Sequence, residues 1–251
     1  MEKKYGNFTI IVKEDYDNAS AVAADVITKF VKTNPAGVLG LATGSTPEGT
    51  YSKLAEANHA GKVDFSNITT FNLDEYHPIS KTNDQSYDYF MRQKLFNHIN
   101  INPSNVHLPN GEADPHAECV AYEAKIEDAG GICLQLLGIG ANGHIGFNEP
   151  DTHFPKKTHY CALDKSTIIA NSRFFESADD VPKNALTMGI GTIFNAKEIL
   201  LVVTGEGKAD IIDKALFGKI DPQVPASILQ LHPKVTLVMD KAAAAKISPK
   251  L

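Results

Sequence analysis

The chain has 251 residues, enough for one large α/β domain or two small ones. Its 43% hydrophobic and 22% charged content is that of an ordinary globular protein, and no stretch reaches transmembrane length. A net charge of −6 removes any general electrostatic case for nucleic acid or an anionic membrane, though a locally cationic pocket can still take a small anion.

Residues 8–12, rich in β-branched side chains, read as a first strand. Residues 18–34 follow as a helix, with Val22, Val26, Ile27, Phe30 and Val31 forming one apolar stripe. A short buried strand, 38–42, runs into Thr43-Gly44-Ser45-Thr46, and a helix is expected to start at Pro47 behind a Ser/Thr cap. Residues 68–73 read as a strand ending in Asp74-Glu75-Tyr76, and 86–97 and 115–128 as helices. The strand 132–137 opens into a loop in which four glycines surround His144 and Glu149 follows. Segment 151–182 is polar, has no clear period and is read as a mobile flap. A strongly apolar strand, 198–204, a helix, 208–217, a last strand, 235–239, and an alanine-rich ending, 241–246, complete the chain.

Strands alternate with helices, and several strands are apolar throughout. That pattern predicts an α/β, Rossmann-like fold: a largely parallel open sheet with helices on both faces. No repeat, linker or composition break divides it, so residues 1–251 are expected to form a single catalytic domain. Cys119, Cys133 and Cys161 are odd in number and widely spaced, which fits free thiols in a reducing compartment. No apolar run follows the charged residues near the N-terminus, so no signal peptide is expected and a cytoplasmic location is.

Four places can carry chemistry. The Thr43-Gly44-Ser45-Thr46 turn offers free backbone N–H groups and hydroxyls that suit a phosphate, or it is a plain helix cap. It lacks the Gly-Lys-Ser/Thr of a nucleotide loop. Asp74 and Glu75 stand at a strand's carboxyl end, where a carboxylate can act as a base or form part of a solvated acidic loop. His77 is close by, but no compact set of metal ligands accompanies it. His144 and Glu149 fit a proton carrier and its orienter, and equally a solvated histidine on an ordinary turn. Arg173 and Lys208 are either surface cations or anion-binding groups, with Lys208 at a glycine-rich strand-to-helix junction. The remaining histidines, His232 among them, read as structural or surface.

Together the segments resemble the glucosamine-6-phosphate deaminase (isomerase) family. The resemblance rests on Leu41-Ala42-Thr43-Gly44-Ser45-Thr46-Pro47, Phe71-Asn72-Leu73-Asp74-Glu75-Tyr76, residues 138–150, Asn171-Ser172-Arg173-Phe174-Phe175 and Thr187-Met188-Gly189-Ile190-Gly191-Thr192. It covers nearly the whole chain in order. It implies hydrolytic conversion of D-glucosamine 6-phosphate to D-fructose 6-phosphate and ammonia, in amino-sugar breakdown, without a metal or cofactor. It puts the enolisation base on Asp74, the ring-opening histidine on His144 and its partner on Glu149. Thr43, Gly44, Ser45, Thr46, Arg173 and Lys208 would hold the phosphate. Asn142 stands where many members carry aspartate, and either Asn142 or Glu149 is a candidate to orient the imidazole.

The nearest alternative is a 6-phosphogluconolactonase, which looks related in fold but would hydrolyse an ester. The chain ends soon after the last strand, and Asp151-Thr152-His153-Phe154-Pro155-Lys156-Lys157 does not resemble the basic cluster of allosteric hexameric members. A monomer with hyperbolic kinetics is therefore expected, with a small sugar phosphate as its partner.

Overall fold

The computed structural model describes residues 2–175 and 177–250. Its main sheet has eight strands: β1 (Glu2–Tyr5), β2 (Phe8–Lys13), β3 (Val38–Leu41), β4 (Thr69–Asn72), β6 (Val106–His107), β7 (Leu134–Leu137), β10 (Glu198–Val203) and β11 (Val235–Asp240). Their order is β1-β2-β11-β10-β7-β3-β4-β6, and every pairing is parallel except β1 with β2. A smaller antiparallel sheet, ordered β5-β9-β8, consists of β5 (Asp74–His77), β8 (His159–Ala162) and β9 (Asn184–Thr187). Seven helices accompany the sheets among the described residues: α1 (Tyr16–Thr33), α2 (Ser45–His59), α3 (Tyr87–Lys94), α4 (Pro115–Asp128), α5 (Lys165–Asn171), α6 (Ile190–Phe194) and α7 (Ala209–Phe217).

The expected α/β class is thus observed, and the central strands show why. Ile199, Leu200, Leu201, Val202 and Val203 of β10 are all buried, as a strand covered on both faces requires. Helix α1 buries Ala19, Ala23, Ile27, Phe30 and Val31 on one stripe. It starts before residue 18 because the Asp15 carboxylate accepts from the Asn18 backbone N–H and caps the first turn. Strand β1 has no apolar alternation and is fully exposed, so only its pairing with β2 makes it a strand.

Segment 151–182, apart from Glu176, which lies outside the described residues, holds strand β8, helix α5 and two short 3-10 turns. β8 is four residues long, too short for its alternation to be read. Its Cys161 and the following Leu163 pack into a second small core with Tyr76, Ile79, Phe147 and Ala185.

One feature of the topology positions the site. After β3 the chain adds strands toward β4 and β6, then returns through β7 to build toward β10 and β11. The loops leaving β3 and β7 therefore diverge, and open α/β sheets bind ligands at such a reversal of strand order.

Candidate active site

Both glycine-rich loops open at this crevice. The β3 loop turns through Gly44 at φ 94°, a left-handed conformation that glycine adopts without strain. Helix α2 then begins at Ser45, earlier than the expected start at Pro47. No side-chain oxygen caps it, so the Ser/Thr cap read from the sequence is absent. Thr43, Gly44, Ser45 and Thr46 line the cleft, so the first turn of α2, with its unpaired N–H groups, starts at the cleft wall.

The β7 loop is folded around its histidine. The Gly140 N–H donates to the His144 carbonyl at 2.9 Å, and the Gly143 N–H donates to the Gly140 carbonyl at 3.0 Å. Gly140 lies flat against the imidazole: a Cβ there would stand 2.3 Å from His144 Cε1. Asn148 pins the loop from below, its Nδ2 donating to the carbonyls of Ile145 and Met188, both at 2.8 Å.

Glu149 is the imidazole's partner. His144 Nδ1 lies 3.2 Å from Glu149 Oε2, which leaves Nε2 as the other proton-carrying nitrogen. Asn142 does something different from what the sequence suggested. Its Oδ1 accepts from the His144 backbone N–H at 3.2 Å, and its Nδ2 donates to Glu149 Oε2 at 2.7 Å. It therefore grips Glu149 and the loop backbone rather than the ring. The other oxygen, Oε1, accepts from the Thr167 hydroxyl at 2.6 Å. Burial raises a carboxyl's pKa, but His144, Thr167 and Asn142 outweigh it and hold Glu149 at about 2.

Asp74 and Glu75 are not a solvated loop. They open β5, 6% and 2% exposed. Glu75 accepts from the backbone N–H groups of Tyr76, Tyr87 and Asp88 and so caps α3, a structural task. Asp74 lies beside Gly146, where a Cβ would stand 3.5 Å from its Oδ2. Burial, and then the adjacent Glu75, push its pKa up to about 8.

The cations also converge here. Lys208 ends a 3-10 turn after Gly205, and its Nζ donates to the Ile139 carbonyl at 2.7 Å. Burial, and then Arg173, hold its pKa below the usual lysine value.

Nine of the ten residues singled out in the sequence line one cleft of about 440 Å³: Thr43, Gly44, Ser45, Thr46, Asp74, Asn142, His144, Arg173 and Lys208. Glu149 stands behind the imidazole and acts on the cleft through it. Tyr87, Thr167, Asn171 and Thr204 also line it, and the sequence reading missed them. Tyr87 and Thr167 lie in helical segments without a motif, and only the fold brings them here, whereas Asn171 opens the Asn171-Ser172-Arg173-Phe174-Phe175 segment but was given no role. A larger cleft of about 810 Å³ shares Arg173 but none of the other candidates. Among the described residues no group of three or more His, Cys, Asp and Glu is placed to hold a metal ion. His77 Nε2 instead meets the Ala113 carbonyl at 3.0 Å, and the fully buried His232 meets the Ala196 carbonyl at 2.8 Å.

Residues 13–238 match the model of the glucosamine-6-phosphate isomerase/6-phosphogluconolactonase family. The chain is 54% identical over 242 residues to a glucosamine-6-phosphate deaminase of Clostridioides difficile strain 630, covering 96% of this chain and 97% of that one. It is 52% identical over 239 residues to a deaminase of Thermoanaerobacter pseudethanolicus, covering 95% and 94%. Among solved structures it is similar to a monomeric glucosamine-6-phosphate deaminase, with a TM-score of 0.92, 46% identity and coverage of 94% and 99%. A 6-phosphogluconolactonase of Thermotoga maritima shares the fold, with a TM-score of 0.76 at 22% identity over 93% and 100% of the two chains.

Proposed function

The chain belongs to the glucosamine-6-phosphate isomerase/6-phosphogluconolactonase family, and from that premise we infer that it converts D-glucosamine 6-phosphate and water to D-fructose 6-phosphate and ammonia. The observation that carries this reading is the pairing of a buried carboxyl, Asp74, with the His144–Glu149 dyad in one cation-bearing cleft. Ester hydrolysis gives no reason for the first of these groups, whereas enolisation needs it.

The chemistry assigns each group a task. The sugar arrives as a closed ring, whose anomeric hydroxyl must lose a proton while the ring oxygen gains one. His144 Nε2 can do both, with Nδ1 held by Glu149. Asp74 then takes the proton from C2, giving an enolamine. Protonation at C1 makes the C2 imine, and water replaces nitrogen there to leave the ketose and ammonia. In the ligand-free cleft burial, and then Glu75, hold the Asp74 carboxyl well above the usual carboxylate range and favour its protonated form. A substrate ammonium at C2 favours its ionised form, so the substrate itself helps to create the base.

The phosphate takes no part in bond breaking. Lys208, Arg173 and the α2 N-terminus are proposed to hold it, and this remote binding fixes C1 and C2 against Asp74. We further propose a monomer with hyperbolic kinetics, on the strength of the likeness to a monomeric deaminase. Sedimentation and a substrate-saturation curve test both points, and a hexamer or a sigmoidal curve would oppose them. No helix among the described residues is long and apolar enough to cross a membrane, and the proposed location is the cytoplasm.

The test is product analysis. Glucosamine 6-phosphate should yield ammonia and fructose 6-phosphate in equal amounts. Hydrolysis of 6-phosphogluconolactone with no ammonia from the amino sugar would overturn the reading.

A further inference from the structure

Glu149 meets His144 through only one of its oxygens, Oε2. The terminal torsion of a glutamate is broad and roughly twofold, so rotamer preference alone does not keep that oxygen on the imidazole. Asn142 Nδ2 also grips Oε2, and an anchor on the other oxygen completes the hold on the plane of the carboxylate. Its closest partner is the Thr167 hydroxyl at 2.6 Å, followed by the Asp164 backbone N–H at 3.4 Å.

Thr167 is 4% exposed and belongs to α5, which is anchored at both ends. At its start the Asp164 carboxylate accepts from the Ser166 N–H at 2.7 Å and caps it. At its end Asn171 Nδ2 donates to the Tyr76 hydroxyl at 2.9 Å, and the next turn carries Arg173. Ile168 packs into the small core with Phe147, which precedes Glu149 by two residues. One short helix thus joins a grip on Glu149 to the chain leading to a proposed phosphate ligand.

We propose that Thr167 is a positioning residue for the reaction: its hydroxyl locks the Glu149 carboxylate so that Oε2 holds the His144 imidazole in the orientation that ring opening needs. The proposal rests on the deaminase reading above. It extends that reading to a residue that makes no motif in the sequence. Thr167 lines the cleft, but its hydroxyl is turned to Glu149, so loss of that hydroxyl lowers turnover more than it lowers sugar-phosphate binding. The bond it makes is to a charged acceptor, and such bonds are among the stronger ones.

The test compares Thr167→Val, which keeps shape and removes the hydroxyl, with Thr167→Ser, which keeps the hydroxyl. Ammonia release from glucosamine 6-phosphate gives kcat and KM for each. Thr167→Val should lose roughly ten- to a hundredfold in kcat with KM within about twofold of wild type. Thr167→Ser should recover most of that loss. In a Glu149→Ala background, Thr167→Val should cost nothing further, because the group it positions is gone. Wild-type kcat in Thr167→Val, equal losses in the Val and Ser variants, or additive losses in the double variant would each overturn the proposal. Should Thr167→Val not fold, Thr167→Ala gives the same comparison. Wild-type protein that releases no ammonia would instead remove the deaminase reading itself, so the two failures are distinct.

Discussion

Asn142 Nδ2 donates to Glu149 Oε2 at 2.7 Å, sharing that oxygen with the imidazole of His144. An aspartate at position 142 would put a second carboxylate against the first, and two carboxyls in contact resist joint ionisation. Asn142→Asp should therefore raise the pKa of Glu149 from about 2 and move the acidic limb of the kcat profile to higher pH. Saturating substrate keeps the phosphate's own titration out of the readout. An acidic limb that stays in place would mean that Glu149 ionisation does not govern turnover.

Gly140 tests the placement of the histidine. Its φ is not positive, so alanine costs no backbone strain, yet the new Cβ would lie 2.3 Å from His144 Cε1. The ring must leave the place in which Glu149 holds it. Gly140→Ala should lower kcat by roughly a hundredfold through misorientation while the folded protein keeps its circular dichroism spectrum. Near wild-type kcat would show that the imidazole need not occupy the observed position.

Lys208 tests the phosphate site. Charge-assisted bonds to a dianion make its loss expensive, so Lys208→Ala should raise KM for glucosamine 6-phosphate roughly ten- to a thousandfold. Unphosphorylated glucosamine should be a very poor substrate for the wild type, and the substitution should not worsen it. Equal sensitivity of the two sugars would place the lysine away from the phosphate.

Asp74 should be costly to stability as well as useful. Its carboxyl is raised from 3.8 to about 8 in the folded protein, so the fold holds a proton that the unfolded chain releases. The penalty is absent below the unfolded value, grows as pH rises between the two values and is complete above about 8. Asp74→Asn removes it. The variant's stability should gain on the wild type as pH is raised from about 4 to about 9, by an amount on the order of a few kcal/mol, read as a widening difference in melting temperature. A difference that does not vary with pH would show that Asp74 ionises freely in the fold.

Much of the site was legible because glycine-rich turns follow apolar strands. His144, Asp74 and the Thr43-Gly44-Ser45-Thr46 loop could be placed at the sheet's carboxyl edge from the strand pattern alone. What stayed hidden depends on contacts across the chain. Asp74 and Glu75 look like a solvated acidic pair until β5 pairs with β9 and buries them. The competition between Asn142 and Glu149 for the imidazole turns on the direction of one amide. Thr167 is a single hydroxyl in a segment without periodicity, eighteen residues from the carboxylate it touches. β1 has no apolar face, so its strand character exists only in the pairing with β2.

The proposed mechanism rests on Asp74 as the base at C2. The most direct measurement is exchange of the C2 proton of glucosamine 6-phosphate with deuterium oxide, followed by NMR alongside ammonia release, in wild type and Asp74→Asn. The wild type should show both exchange and turnover. In the variant both should vanish while sugar-phosphate binding persists. Exchange or near wild-type turnover in Asp74→Asn would contradict that mechanism and remove Asp74 from it.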